Sequence, residues 1–201
     1  MSTTDFAACH PQLMPNKKRG AEFSPPPAPA QPVAAVVIVE TPDDWFEDLQ
    51  VLCDVLQTDG RVGCRADDGR QPVRLIVCNE DFTFAWADVA PRFGPGAFVT
   101  CLEALYTRMT SRPLQYDTYG KPHAPAYSFA QRQLALQVFP DSADRAALPD
   151  GMTFYAIGDN PTSDIRGANA AGERWRSILV RTGVFDSAAA NDPLDPVRPL
   201  G

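Results

Sequence analysis

Tyr155-Ala156-Ile157-Gly158-Asp159-Asn160-Pro161-Thr162-Ser163-Asp164-Ile165-Arg166-Gly167-Ala168-Asn169 is the stretch from which the fold is read. The apolar run Met152 to Ile157 before it predicts a buried strand. Gly158 permits a sharp turn where that strand ends. Pro161, Thr162 and Ser163 then predict a helix start, with proline in the first turn and hydroxyls near the cap. Asp159 is thereby placed at the carboxyl end of a strand, and Asp164 one turn into the next helix. Ligands of open α/β sheets bind outside the carboxyl ends of the strands. Two carboxylates on either side of so tight a turn can converge, and such a pair suits Mg²⁺, which keeps several waters and shares a phosphate. The same residues also serve ordinary ends: Asp is common in turns, and in a first helical turn it complements the helix dipole.

The rest of the composition narrows the classes. A chain of 201 residues, 44% hydrophobic, can bury one core or one core with a small cap. Its net charge of −7 and pI near 4.8 argue against nucleic acid as a partner. No apolar run approaches the ~20 residues of a membrane span. Cys9, Cys53, Cys64, Cys78 and Cys101 form no C-x-x-C pair, which argues against zinc or a disulfide framework and fits a reducing compartment. His10 and His123 are the sole histidines, too few for a multi-histidine metal site.

Upstream of the opening stretch the chain reads as alternating strands and helices. Residues 1–32 are expected to be a disordered, Pro-rich segment, because Pro25-Pro26-Pro27-Ala28-Pro29 favours extended chain. The cluster Lys17-Lys18-Arg19 reads as solvated charge or a targeting signal. No secretory h-region is present near Met1. Val33 to Val39 predicts a buried strand. A helix follows from Trp45, with Phe46, Leu49, Leu52, Cys53 and Leu56 on its buried face. Val73 to Cys78 predicts a second strand, and Phe82 to Arg92 reads as aromatic and irregular. Gly94-Pro95-Gly96 opens a helix that buries Phe98, Leu102, Leu105, Tyr106 and Met109; its glycines either hold an anion or simply permit the turn.

Pro113 to Asp117 is a short extended piece leading into Tyr119-Gly120-Lys121-Pro122, and a helix is expected over Ala124 to Phe139. Two consecutive strand-to-helix turns would bring Lys121 to the same sheet edge as Asp159, where an ammonium offsets the charge of two acids and a phosphate. Ser177 to Val180 predicts a further buried strand. Residues 186–201 are expected to be loose.

The segments around Asp44-Trp45, Cys78-Asn79-Glu80-Asp81, Pro91-Arg92-Phe93-Gly94, Gly120-Lys121-Pro122, Gly158 to Asn169 and Ser177 to Val184 occur in this order in a known family. From about Val36 to Phe185 the chain resembles the haloacid-dehalogenase (HAD) superfamily, subfamily IIA, in the branch of the cat-eye-syndrome critical-region protein. The resemblance implies an α/β fold: the C-terminal part of a Rossmann-like HAD core, residues 116–190, with the remnant of a C2-type cap over 33–115 and a flexible tail over 191–201. It implies a phosphatase-type hydrolase acting on a small phosphorylated metabolite with Mg²⁺. Lys121 matches the family's catalytic lysine, and Asp159 and Asp164 its metal-holding acids. Asn79, Asp81 and Asn160 are implied as weaker substrate-binding positions. A homo-oligomer through the cap, a mitochondrial location (cytoplasmic otherwise) and a link to glycerophospholipid synthesis are also implied by the resemblance.

The family's first motif, D-x-D-G, carries its nucleophile, and no D-x-D follows an apolar strand in these 201 residues. Its second motif has no strand to precede it. An aspartyl-phosphate cannot form without that nucleophile, and strands 152–157 and 177–180 would lack an inner neighbour. The chain by itself is therefore expected to be inactive. The alternatives left open are a non-catalytic binding or assembly module and a truncated gene product.

Overall fold

The computed structural model describes residues 1–63, 70–87, 89–139, 151–181 and 183–185. They form an α/β structure that divides into two compact units. The first comprises Met1–Cys78 and Gly94–Asp117, the second Asn79–Phe93 and Thr118–Gly201. In this division residues 1–32 fall in the first unit, and residues 79–93 in the second.

In the first unit, β1 (Ala35–Ile38) pairs in parallel with β2 (Arg74–Val77), from Ala35 opposite Arg74 to Ile38 opposite Val77. The short β5 (Asp117–Thr118), at the join between the units, follows β2 in the sheet order. Asp44 caps α2 (Trp45–Leu56) by accepting from the Glu47 N–H, as the Thr-Pro-Asp-Asp signal predicts. Gly94 caps α3 (Pro95–Thr110), with proline at the first helical position. Leu52, Leu56, Leu75, Val77, Phe98, Leu102 and Tyr106 fill the core between these helices and the sheet. Trp45 meets Phe98 edge-on at 5.5 Å. Each fully buried large side chain contributes about 1.5–3 kcal/mol.

Several residues expected inside lie outside. Phe46, Leu105, Met109, Val37 and Val39 are exposed. β1 buries only Ile38, since alternate side chains of a strand point to opposite faces and one face here is packed.

Residues 1–32 also depart from expectation at their start. α1 (Thr3–Cys9) closes with a capping box between Ser2 and Asp5. Phe6, Ala7 and Met14 are buried in the core that α2 lines. Thr3 Oγ1 donates to Asp48 and Lys17 pairs with the buried Glu47. The proline run had masked this, because its extended bias governs only its own residues.

In the second unit, β6 (Phe154–Gly158) pairs in parallel with β7 (Trp175–Leu179), Phe154 opposite Trp175 and Gly158 opposite Leu179. Among the described residues these two strands form a sheet of their own, so Lys121, which follows β5, does not share a sheet with Asp159. Both strands were expected to be buried; instead they alternate. Phe154, Trp175 and Ser177 are buried while Tyr155, Ile157 and Ile178 are exposed, because the sheet is packed on one face. That face meets α4 (Ala124–Val138) and α5 (Arg166–Ala170). Tyr127 stands edge-on to Trp175 at 5.1 Å, and Phe154 stacks on Trp175 at the same distance. The segment read as irregular is an antiparallel hairpin of β3 (Thr83–Trp86) and β4 (Val89–Phe93), with a bulge between Phe84 and Trp86. The tail expected over 186–201, including 191–201, lies outside the described residues.

Candidate active site

Three loops of the second unit bring the candidate residues together. The first leaves β6. Asn160, not a hydroxyl residue, caps the helical stretch: its Oδ1 accepts from the Thr162 N–H at 3.0 Å and from Thr162 Oγ1 at 2.8 Å. This corrects the expected cap and has a local cause, since an Asn side chain readily satisfies the backbone two residues on. Pro161–Ile165 then winds as a π-helical turn before α5, with Asp164 and Ile165 both donating to the Asn160 carbonyl. Such turns are rare and recur at functional sites. The turn folds Asp164 back over the strand end, where its Oδ2 accepts from the Asn160 N–H at 3.1 Å.

The second loop carries Lys121, whose peptide to Pro122 is cis. Lys121 Nζ donates to Asp164 Oδ1 at 2.5 Å. Burial by itself would lower the Lys121 pKa; the Asp164 hydrogen bond and the charges of Asp164, Asp81 and Asp159 outweigh it and raise it. The ammonium therefore sits in the field of three carboxylates and is charged throughout the physiological range. Its direct partner is Asp164; Asp159 acts on it through charge. Asp159 Oδ2 accepts from the Val184 N–H at 3.0 Å.

The third loop opens the hairpin. Asn79 Oδ1 accepts from the Asp81 N–H at 2.8 Å, so Asn79 shapes the turn. Asp81 Oδ1 accepts from Asn160 Nδ2 at 3.2 Å, tying the hairpin root to the strand-end loop. Glu80 pairs with His123 Nε2, tying the same root to the lysine loop. Lys121, Asp164, Asp81 and Asn160 are thus brought into one linked cluster, with Asp159 beside it and Asn79 serving it indirectly.

Two groups here were not foreseen from sequence. His123 and Glu80, 43 residues apart, are hydrogen-bonded, for which a lone His after Lys-Pro gives no signal. Tyr127 Oη donates to the Asp164 carbonyl at 3.0 Å, and burial, with the Asp164 charge, pushes its phenol up to about 12.

Both acids are backed by glycine. A Cβ on Gly158 would stand 2.3 Å from Asp164 Oδ2, and one on Gly183 would stand 1.7 Å from Asp159 Oδ2. The two acids supply only hard oxygen donors, which is what Mg²⁺ accepts. Among the described residues no group of three or more His, Cys, Asp and Glu side chains is arranged to hold a metal ion. Asp159 and Asp164 could supply one or two carboxylates to such a cation, and not an all-protein cage.

Residues 118–199 match the HAD-hydrolase-like family model, and that part of the chain is HAD-like. It is similar to a mitochondrial hydrolase of Saccharomyces cerevisiae, 31% identical over 182 residues, covering 82% of this chain and 50% of that protein. It is also similar to a cardiolipin synthase (CMP-forming)/mitochondrial hydrolase fusion protein of Schizosaccharomyces pombe, 33% identical over 156 residues, covering 77% of this chain and 25% of that protein. The chain therefore spans half the length, or less, of these curated relatives. A solved structure described as a possible sugar phosphatase of the HAD superfamily, from Cytophaga hutchinsonii, aligns with a TM-score of 0.47 at 21% identity, covering 72% of this chain and 41% of that one.

Proposed function

We propose that the second unit is the C-terminal part of a subfamily IIA phosphatase-type site for a small phosphorylated metabolite, and the first unit the remnant of its cap. The observation that carries this is the Lys121–Asp164 pair standing in the field of Asp81 and Asp159. One cation among three acids leaves local negative charge, which suits a divalent ion and a phosphoryl group arriving together. Asp159 and Asp164 would hold Mg²⁺, which when bound supplies charge neutralisation at the phosphoryl oxygens. Lys121 orients the phosphate and offsets its charge. Asp81 and Asn160 hold the hairpin root against the site, within reach of the rest of the substrate.

The 201 residues contain no D-x-D-G nucleophile motif, so binding without turnover is the expected behaviour of this chain. That same observation favours a second reading, a non-catalytic binding or assembly module. The names of the two relatives support a mitochondrial location and a connection to glycerophospholipid synthesis, and the family resemblance supports oligomers formed through the cap. Calorimetric titration of the chain with Mg²⁺ plus inorganic phosphate tests the site. Saturable binding lost in Asp159→Ala and Lys121→Ala supports it. No metal-dependent binding leaves the assembly module.

A further inference from the structure

His123 Nε2 is hydrogen-bonded to the Glu80 carboxylate across 43 residues of chain. The two side chains are 38% and 30% exposed. A pair so open to water adds little stability by itself. What sets this one apart is the work of the two backbones that carry it.

His123 closes the turn that bears Lys121. Its N–H donates to the Gly120 carbonyl at 2.9 Å, and its carbonyl accepts from the Ala126 N–H at 3.2 Å. The residue is thus tied to the lysine turn on one side and to α4 on the other. It stands at the N-cap of α4, yet its side chain makes no capping bond, which leaves the ring for Glu80. Glu80 in turn precedes Asp81, whose Oδ1 accepts from Asn160 Nδ2 at 3.2 Å. The dipeptide Glu80-Asp81 therefore holds the lysine loop with one side chain and the strand-end loop with the other.

These contacts close a ring. Lys121 donates to Asp164, Asp164 accepts from the Asn160 N–H, and Asn160 donates to Asp81. From Asp81 the path returns through Glu80 and His123 to the turn of Lys121. A lysine is a point charge on a flexible four-carbon stem. Where its ammonium rests therefore depends on what fixes its loop, and the Glu80–His123 link is the part of the ring that fixes it from outside the loop.

We propose that His123, through Glu80, is a positioning residue for Lys121: the clasp holds the lysine turn at the spacing from which the ammonium meets both Asp164 and an arriving phosphate. It rests on the phosphate-site reading above and deepens it. Both residues act through Lys121 and need no contact with the phosphate.

The test uses the full chain and two readouts. Calorimetry with Mg²⁺ and inorganic phosphate gives the affinity. NMR of isotope-labelled lysine, without phosphate, gives the titration midpoint of Lys121. His123→Ala and Glu80→Ala are each expected to weaken phosphate binding about tenfold, the low end of what contacts supporting an ion's ligands contribute. The double variant is expected to lose no more than either single one, since both break the same link. Both alanine variants are also expected to lower the Lys121 midpoint, because Asp81 is no longer held near it; a pair serving stability alone leaves that midpoint unmoved. His123→Gln supplies an amide N–H where the ring carries Nε2, and Glu80→Gln keeps an accepting oxygen without the charge. Each is expected to recover most of the affinity.

Alanine variants that match the parent in both readouts overturn the proposal, as do losses that simply add in the double variant. Tighter phosphate binding in Glu80→Gln and Glu80→Ala alike also overturns it, because Glu80 would then act by charge alone. A parent chain that binds no phosphate overturns the phosphate-site reading instead. The Lys121 midpoint then decides the clasp: lowered by alanine and restored by His123→Gln it upholds the clasp, and unmoved it overturns it.

Discussion

A Cβ on Gly158 would stand 2.3 Å from both Cγ and Oδ2 of Asp164. The strand end and the carboxylate that Lys121 binds are thus packed with no room between them. Gly158→Ala must displace the Asp164 side chain or the turn that carries it. Overpacking of this kind costs about 1–3 kcal/mol. The expected result is a lower urea midpoint together with weaker Mg²⁺ binding in calorimetry. A variant of unchanged stability and unchanged binding would show that the turn has slack.

Lys121→Met removes the ammonium and leaves Asp164, whose side chain is only 12% exposed, without its cation. Stranding a buried charged group costs about 1–3 kcal/mol. Because the lysine is 46% exposed, water screens the pair and the lower end applies. Asp164→Asn in the same background should recover most of the loss, since it removes the charge left behind. Urea denaturation of the two single variants and the double variant gives the coupling directly.

Alkaline pH should destabilise the second unit. The Tyr127 phenol is held up to about 12, chiefly by burial and then by the Asp164 charge. An unfolded tyrosine titrates near about 10. Between those values the unfolded chain has released its proton and the folded chain has not, so stability falls as pH rises. The contribution is fully present below about pH 10. Lys121, also raised, has the same sign. Urea midpoints measured between about pH 8 and about pH 12 should fall less steeply for Tyr127→Phe than for the parent chain.

In the first unit the N-terminal segment neutralises an interior charge. Glu47 is 2% exposed and pairs with Lys17. Lys17→Met should lower stability by about 1–3 kcal/mol, by leaving that carboxylate buried and unpaired. Lys17→Met with Glu47→Leu should restore it, because an apolar pair of similar volume is often neutral or better. Equal midpoints for the parent and Lys17→Met would mean that the segment does not hold Glu47 in solution.

The fold class was legible because the period of apolar residues is local: the runs at 33–39 and 73–78 each contain a strand, and those at 152–157 and 177–180 each overlap one. Helix starts at Thr-Pro-Asp-Asp and Gly-Pro-Gly were legible because a cap is satisfied within a few residues. What failed also failed for a reason. Phe82-x-Phe84-x-Trp86 carries a period of two, yet a bulge and the following Ala87, at φ 38°, break the alternation that marks a hairpin. Phe46, Leu105 and Met109 have helical spacing but face water, since spacing names a face and not what covers it.

Sequence by itself singled out the candidate residues: Lys121 behind a strand and ahead of a helix, and Asp159 and Asp164 astride a Gly-led turn. Tertiary structure alone decided which of them meet. Lys121 binds Asp164 while Asp159 reaches it only through charge, Asn79 shapes a turn, and Glu80 finds His123. The physical reason is range. Caps, turns and strand periods are fixed by neighbours a few residues away, whereas a carboxylate and an ammonium 43 residues apart are paired by packing that no local pattern encodes.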